Sequence, residues 1–102
     1  MSKVYVVQNT DRNITPARRY GELQVMLSWH DVDRGTDHLV HKLSEELNGI
    51  KQEDFLLCIG DPIAIGIAVH IALIFTDGKI NILRWDRKKF DYKKEEIRIK
   101  YD

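Results

Sequence analysis

The sequence predicts an α/β fold: one small domain with a mixed five-stranded sheet and two helices, in the order β-β-α-β-α-β-β, around a Rossmann-like core. Three observations carry this. Residues 3–8 (KVYVVQ) and 55–59 (FLLCI) are short, nearly unbroken apolar runs, the pattern of strands covered on both faces. Two segments of helical character flank the second of these runs, which implies parallel crossovers of the usual right hand. The last two apolar segments are separated only by the tetrad Asp86-Arg87-Lys88-Lys89, which reads as a hairpin loop. A chain of 102 residues, 43% apolar, suffices for one such domain, since it can bury roughly 60–65% of its unfolded surface.

Residues 3–8 are expected at the centre of the sheet beside residues 55–59. Residues 9–21 include Asn9, Thr10, Asp11, Asn13, Thr15 and Pro16, all turn formers. A connection of this length exceeds the usual span of about 4–6 residues, so it is expected to be mobile or functional. Residues 22–27 (ELQVML) alternate as a second strand with Leu23, Val25 and Leu27 on one face. A polar turn over residues 28–35 follows.

Leu39, Val40, Leu43, Leu47 and Ile50 recur at helical spacing, with Asp33, Thr36 or Asp37 able to cap the start and Gly49 to close the end. After the third strand, Gly60-Asp61-Pro62 is a strand-to-helix turn in which Asp61 suits the N-cap and Pro62 the first helical position. The helix over residues 62–75 is apolar nearly all round and is expected to be buried on most sides, with Gly66 allowing close approach to the sheet and His70 in the core or an interface. Asp77-Gly78 ends it. Residues 79–85 (KINILRW) form a fourth strand, and Phe90/Tyr92 with Ile97/Ile99/Tyr101 give residues 90–99 the spacing of a fifth.

Composition excludes several classes. Cys58 is the single cysteine, so neither an internal disulfide nor a cysteine-rich zinc site is available. Residues 1–8 lack the pattern of a signal peptide. The longest apolar run, residues 63–75, falls short of the roughly 20 residues that cross a bilayer, so the chain reads as intracellular, in the cytoplasm, with no membrane association. There is no dinucleotide fingerprint and no P-loop. His38 and His41 can share a helix face with Asp31 or Asp37 nearby, but without a third ligand they are expected to be surface histidines. Cys58 reads as a buried, inert thiol. The carboxylate pairs Asp31/Asp33, Glu45/Glu46 and Glu53/Asp54 are expected at the solvated surface. No catalytic constellation closes and no cofactor or metal is implied.

Two regions retain chemical interest. Open parallel sheets bind ligands beyond the carboxyl ends of their strands, where strand order reverses. That rule brings the loop after the first strand to the Gly60-Asp61-Pro62 turn. Asn9, Asp11, Arg18, Arg19 and Asp61 are the candidate ligand residues there, with the arginines suited to phosphate and the aspartates to a ribose or metal. Asp61 as helix cap would repel a phosphate at the helix terminus itself. The second region emerges from the charge distribution. Sixteen basic residues match sixteen acidic ones, yet the formal charge is +2 over residues 1–30, −5 over 31–61 and +3 over 62–102. Arg84, Arg87, Lys88, Lys89 and Lys93 are interleaved with Trp85, Phe90 and Tyr92, the composition that single-stranded nucleic acid binding uses. The same lysines would also protect an edge hairpin from pairing with another sheet.

Tyr20-Gly21-Glu22-Leu23, Gly60-Asp61-Pro62 with Ile65-Gly66, and residues 78–86 (GKINILRWD) resemble a group of small uncharacterised proteins of tailed phages, over roughly residues 3–99. The resemblance implies a viral or mobile-element setting and supplies no catalytic residue. Three functional expectations follow. The leading one is a non-enzymatic accessory protein that binds a host or viral macromolecule, with a homodimer covering the apolar helix. The others are a nucleotide-binding or nucleotide-processing protein using Asp61 and the long loop, and a single-stranded nucleic acid binder using the hairpin.

Overall fold

The computed structural model describes residues 2–100. Strands β1 (Lys3–Gln8), β2 (Glu22–Leu27), β3 (Phe55–Leu57), β4 (Lys79–Asp86) and β5 (Asp91–Arg98) form one sheet in the order β2-β1-β3-β4-β5. The first four run parallel and β5 closes antiparallel on β4. The mixed five-stranded α/β architecture and the adjacency of β1 and β3 are as the sequence predicts. Besides α2 (Thr36–Glu46) and α3 (Pro62–Phe75), the chain forms two short helices where turns were expected: a 3-10 helix at Thr15–Tyr20 and α1 at Trp29–Asp33. Tyr101, assigned to the last strand's spacing, lies outside the described residues.

The pleat of β1 organises both faces. Tyr5 and Val7 point to the layer of α2 and α3, where they meet Leu39, Leu43 and Leu47 of α2 and Ala64, Ala68 and Ala72 of α3. Val4 and Val6 point the other way, into a smaller cluster with Ala17 of the 3-10 helix, Leu57, Leu83 and Tyr92. The valines of β1 are fully buried, each worth roughly 1.5–3 kcal/mol by transfer from water. The crossover that steps from β1 to β2 lies on one face, and the two that step back through β3 to β4 lie on the other, so all three share one hand.

The amino end of the sheet is closed by polar contacts. Asp54 is buried, and its carboxylate accepts the Lys3 and Lys51 N–H groups at 2.8 Å each. Asn81 donates to the Gln52 and Asp54 carbonyls at 3.1 Å. Asp54 is thus an internal tie and not the solvated surface carboxylate expected of it.

Several local expectations are corrected. β3 ends at Leu57, two residues early, and β5 begins at Asp91 because Phe90 sits in the turn at φ 50°. Of the β2 residues assigned to one face, Leu23 packs with the cluster under the 3-10 helix, Val25 is exposed and Leu27 joins the helix-side core. The α2 cap is Gly35 and none of Asp33, Thr36 or Asp37, while Gly49 is left-handed as expected.

The α3 helix buries only one side. Ile63 and Ile74 are each 60% exposed, and His70 is exposed on the same outer face, not in the core. Gly66 also points outward: a Cβ there would meet nothing within 4 Å, so close approach to the sheet is not its reason. Gly66→Ala should therefore raise stability by about 0.5–1 kcal/mol, read as a higher thermal midpoint, because glycine in an exposed helix interior loses backbone entropy without compensation.

Asp31, expected at the surface, is 7% exposed and ties α1 to α2. It accepts hydrogen bonds from the Ser28 N–H at 2.8 Å, His38 Nε2 at 2.8 Å and Lys42 Nζ at 2.9 Å. Burial opposes its charge, but the bonds from His38, the Ser28 N–H, Lys42 and the Ser28 hydroxyl outweigh it and hold the carboxyl well below its ordinary 3.8. Because the folded value is depressed, this contribution is complete above the unfolded value and is lost as pH falls through the folded one. Asp31→Asn should cost about 2 kcal/mol at about pH 5, and the gap to wild type should shrink on acidification in denaturant titrations.

Candidate functional site

With the amino end of the sheet tied shut, concavity is left at the carboxyl end. Two adjoining depressions lie there, and Arg12 lines both. The larger, about 1030 Å³, runs between the loop after β1 and the β4–β5 hairpin. Its walls carry Arg12, Arg84, Arg87, Lys88 and Lys93 against a single carboxylate, Asp86.

Each element positions these groups for a local reason. The Asp86 carboxylate accepts the Lys88 N–H at 2.9 Å, which folds the hairpin tip and turns the cationic side chains outward. Thr10 Oγ1 accepts the Arg12 N–H at 3.2 Å, and Asn13 Oδ1 accepts the Thr15 N–H at 3.1 Å, so the loop is shaped by its own side chains. The 3-10 helix then anchors it. Arg19 donates to the Tyr92 carbonyl at 2.8 Å and pairs with Asp91 at 3.0 Å, while the Tyr20 hydroxyl donates to the same carbonyl at 2.9 Å.

Arg84 pairs with Glu95 at 3.3 Å. Arg12, Arg87, Lys88 and Lys93 have no ion-pair partner among the described residues, so the cleft presents four uncompensated cations. Tyr92, expected to stack on a base, is only 2% exposed. Its ring meets Trp85 edge-on at 5.0 Å and forms the floor of the cleft. Burial raises the Tyr92 phenol above its ordinary 10.0, and the charge of Arg12 opposes that rise. The aromatic faces open to a ligand are those of half-buried Trp85 and of Phe90, which is 77% exposed at the tip. Lys89 is exposed at the tip and does not line the cleft.

The smaller depression, about 460 Å³, sits where β1 and β3 end, at the reversal of strand order. Its lining includes Gln8, Thr10, Arg12, Cys58 and Gly60. The location follows the rule for open sheets, but the side chains are mostly others than expected. Asp61 does cap α3, accepting the Ile63 and Ala64 N–H groups at 3.0 and 3.1 Å, and it does not line the depression. Asn9 and Asp11 are exposed on the loop, Arg18 is exposed on the 3-10 helix, and Arg19 serves as the anchor to β5. Gln8 escaped the sequence reading because it ends an apolar strand. Its one signal was being the polar residue next to the switch point.

Burial pushes the Cys58 thiol up to about 12, which keeps it neutral and unreactive. His38 binds Asp31 while His41 turns to Glu45 at 3.2 Å, so the two histidines do not converge. No group of three metal-ligating side chains occurs among the described residues. No helix among them is long and apolar enough to cross a membrane.

Comparison with known proteins agrees with the phage resemblance. The family model of phage Pam3 gp32-like proteins matches residues 2–99, and the chain belongs to that family. No curated protein and no solved structure matches it.

Proposed function

We propose that this phage Pam3 gp32-like protein is an accessory protein that binds single-stranded nucleic acid along the basic cleft. The observation that carries the reading is the concentration of five cationic side chains against one carboxylate in a cleft of about 1030 Å³ floored by Trp85 and Tyr92. Arg12, Arg87, Lys88 and Lys93 meet phosphates. Trp85 and Phe90 offer ring faces to unstacked bases, which a duplex would keep inside its own stack. The long loop and the hairpin, two separate expectations of the sequence, contribute to one surface through Arg12.

Fluorescence anisotropy with a short single-stranded oligonucleotide tests this. Four phosphate contacts predict a slope of about −3 in log K against log salt, at about 0.7 per contact. Arg87→Glu/Lys88→Glu should weaken binding more than tenfold and reduce the slope by about 1.4. Phe90→Ala, at an exposed position, should weaken it at least fivefold. Absent or salt-independent binding refutes the proposal.

A second reading concerns assembly. The 14 residues of α3 carry no charged side chain, and Ile63, Ile74 and Phe75 are exposed on it. A second copy of the chain, docked through this face, would cover them. Trp85 and Tyr92, the floor of the cleft, belong to the cluster on the other face of the sheet, so docking through α3 leaves that floor uncovered. Light scattering at micromolar concentration should give twice 12.0 kDa, reverting to the monomer in Ile74→Glu. A monomeric wild type rejects the dimer.

A further inference from the structure

We infer that the smaller depression at the ends of β1 and β3 receives one base of the bound strand and selects a base that presents a carbonyl oxygen. This rests on the strand-binding reading above and specifies what that site recognises. The depression adjoins the cleft through Arg12, so a strand whose phosphates lie along the cationic wall has a base within reach of it. Its size suits a planar heterocycle with part of its sugar.

Selectivity comes from the direction of the hydrogen-bonding groups. Gln8 is 8% exposed, and its Oε1 accepts the Asp61 N–H at 2.7 Å. An N–H cannot face the amide nitrogen, so this bond sets the orientation of the amide. Its NH₂ group has no partner among the described residues and is left to donate. Gly60 keeps this arrangement: at φ 117° any Cβ would come within 2.4 Å of Gln8 Oε1 and 2.5 Å of Gln8 Cβ. Thr10 Oγ1 already accepts the Arg12 N–H, which leaves its proton to donate, and Arg12 has only donors. The remaining walls are Ile59, Ile65 and the neutral Cys58 thiol.

A lining in which Gln8, Thr10 and Arg12 each offer a donor suits an oxygen acceptor. Adenine recognition by an amide uses its oxygen for the exocyclic amino group, and here that oxygen is directed at the Asp61 N–H, with the NH₂ group left as the end without a partner. An adenine amino group would enter beside the donors of Gln8, Thr10 and Arg12, whereas thymine or uracil presents them with carbonyl oxygens. A terminal phosphate is also an acceptor, but the apolar walls and the nearby Asp61 carboxylate, which already holds the α3 N–H groups, oppose an anion there.

The test compares ten-residue oligo-dT and oligo-dA, equal in phosphates, against wild type, Gln8→Glu and Thr10→Val. Glu at position 8 keeps an acceptor for the Asp61 N–H and removes the donor, and Thr10→Val removes the second donor without changing charge. The added negative charge weakens both oligonucleotides together, so the dT:dA affinity ratio is the quantity read. It should favour dT in wild type and fall about fivefold in each variant, the equivalent of one lost hydrogen bond. If Gln8→Glu does not fold, Thr10→Val alone decides. The same ratio in wild type and the folded variants overturns the base pocket and leaves strand binding standing. A loss of affinity in the variants that is equal for oligo-dT and oligo-dA and appears only when both carry a 5′-phosphate assigns the depression to a terminal phosphate and also overturns it. Failure to bind either oligonucleotide overturns the function itself.

Discussion

The parallel sheet must be covered on both faces, and the chain has too few residues to cover them equally. Val4 and Val6 face one side and Tyr5 and Val7 the other, and all four are buried. Two helices serve one face. The other has a six-residue 3-10 helix, joined to β5 where Arg19 and Tyr20 converge on the Tyr92 carbonyl. That junction holds the second hydrophobic cluster together while covering only part of the sheet's width. The uncovered part, between the loop after β1 and the hairpin, is the cleft. The candidate site is thus a consequence of how a small domain completes its second layer.

The same economy explains the charge distribution. The segment with formal charge −5 contains Asp31, Asp54 and Asp61, and each of these has a structural role. Asp31 joins α1 to α2, Asp54 ties β1 to the segment before β3, and Asp61 caps α3. The cations of the cleft have no equivalent partners, apart from Arg84. A chain that is neutral in sum therefore commits some of its carboxylates to internal ties and leaves basic groups turned to solvent at one end of the sheet. A neutral composition excludes a generally basic surface and leaves a local one intact.

The carboxyl end of the sheet also shows how one contact shapes two features. The Gln8–Asp61 hydrogen bond crosses from β1 to the start of α3, and Gly60 makes room for it. It orients the side chain facing the smaller depression while Asp61 satisfies the first N–H groups of the helix. The helix cap and the orientation of Gln8 are in this way coupled through a single turn.

The sequence by itself determined the α/β class, the five strands, the two long helices, the Asp61 cap and the basic hairpin, because these depend on periodicity and on residues adjacent in the chain. It also pointed to the reversal of strand order as a place for a pocket. Tertiary structure alone decided the rest. Arg19 and Tyr92 look like ligand residues until they are seen to meet each other across more than seventy positions of chain. Gly66 and His70 look internal on an apolar helix until the sheet selects which side to bury. The turns at Thr15–Tyr20 and Trp29–Asp33 become helices because Ala17 has a cluster to enter and Asp31 has His38 and Lys42 to bind. The identity of the side chains at the cleft is a matter of contacts between distant segments, and local pattern holds no record of which distant segments will meet.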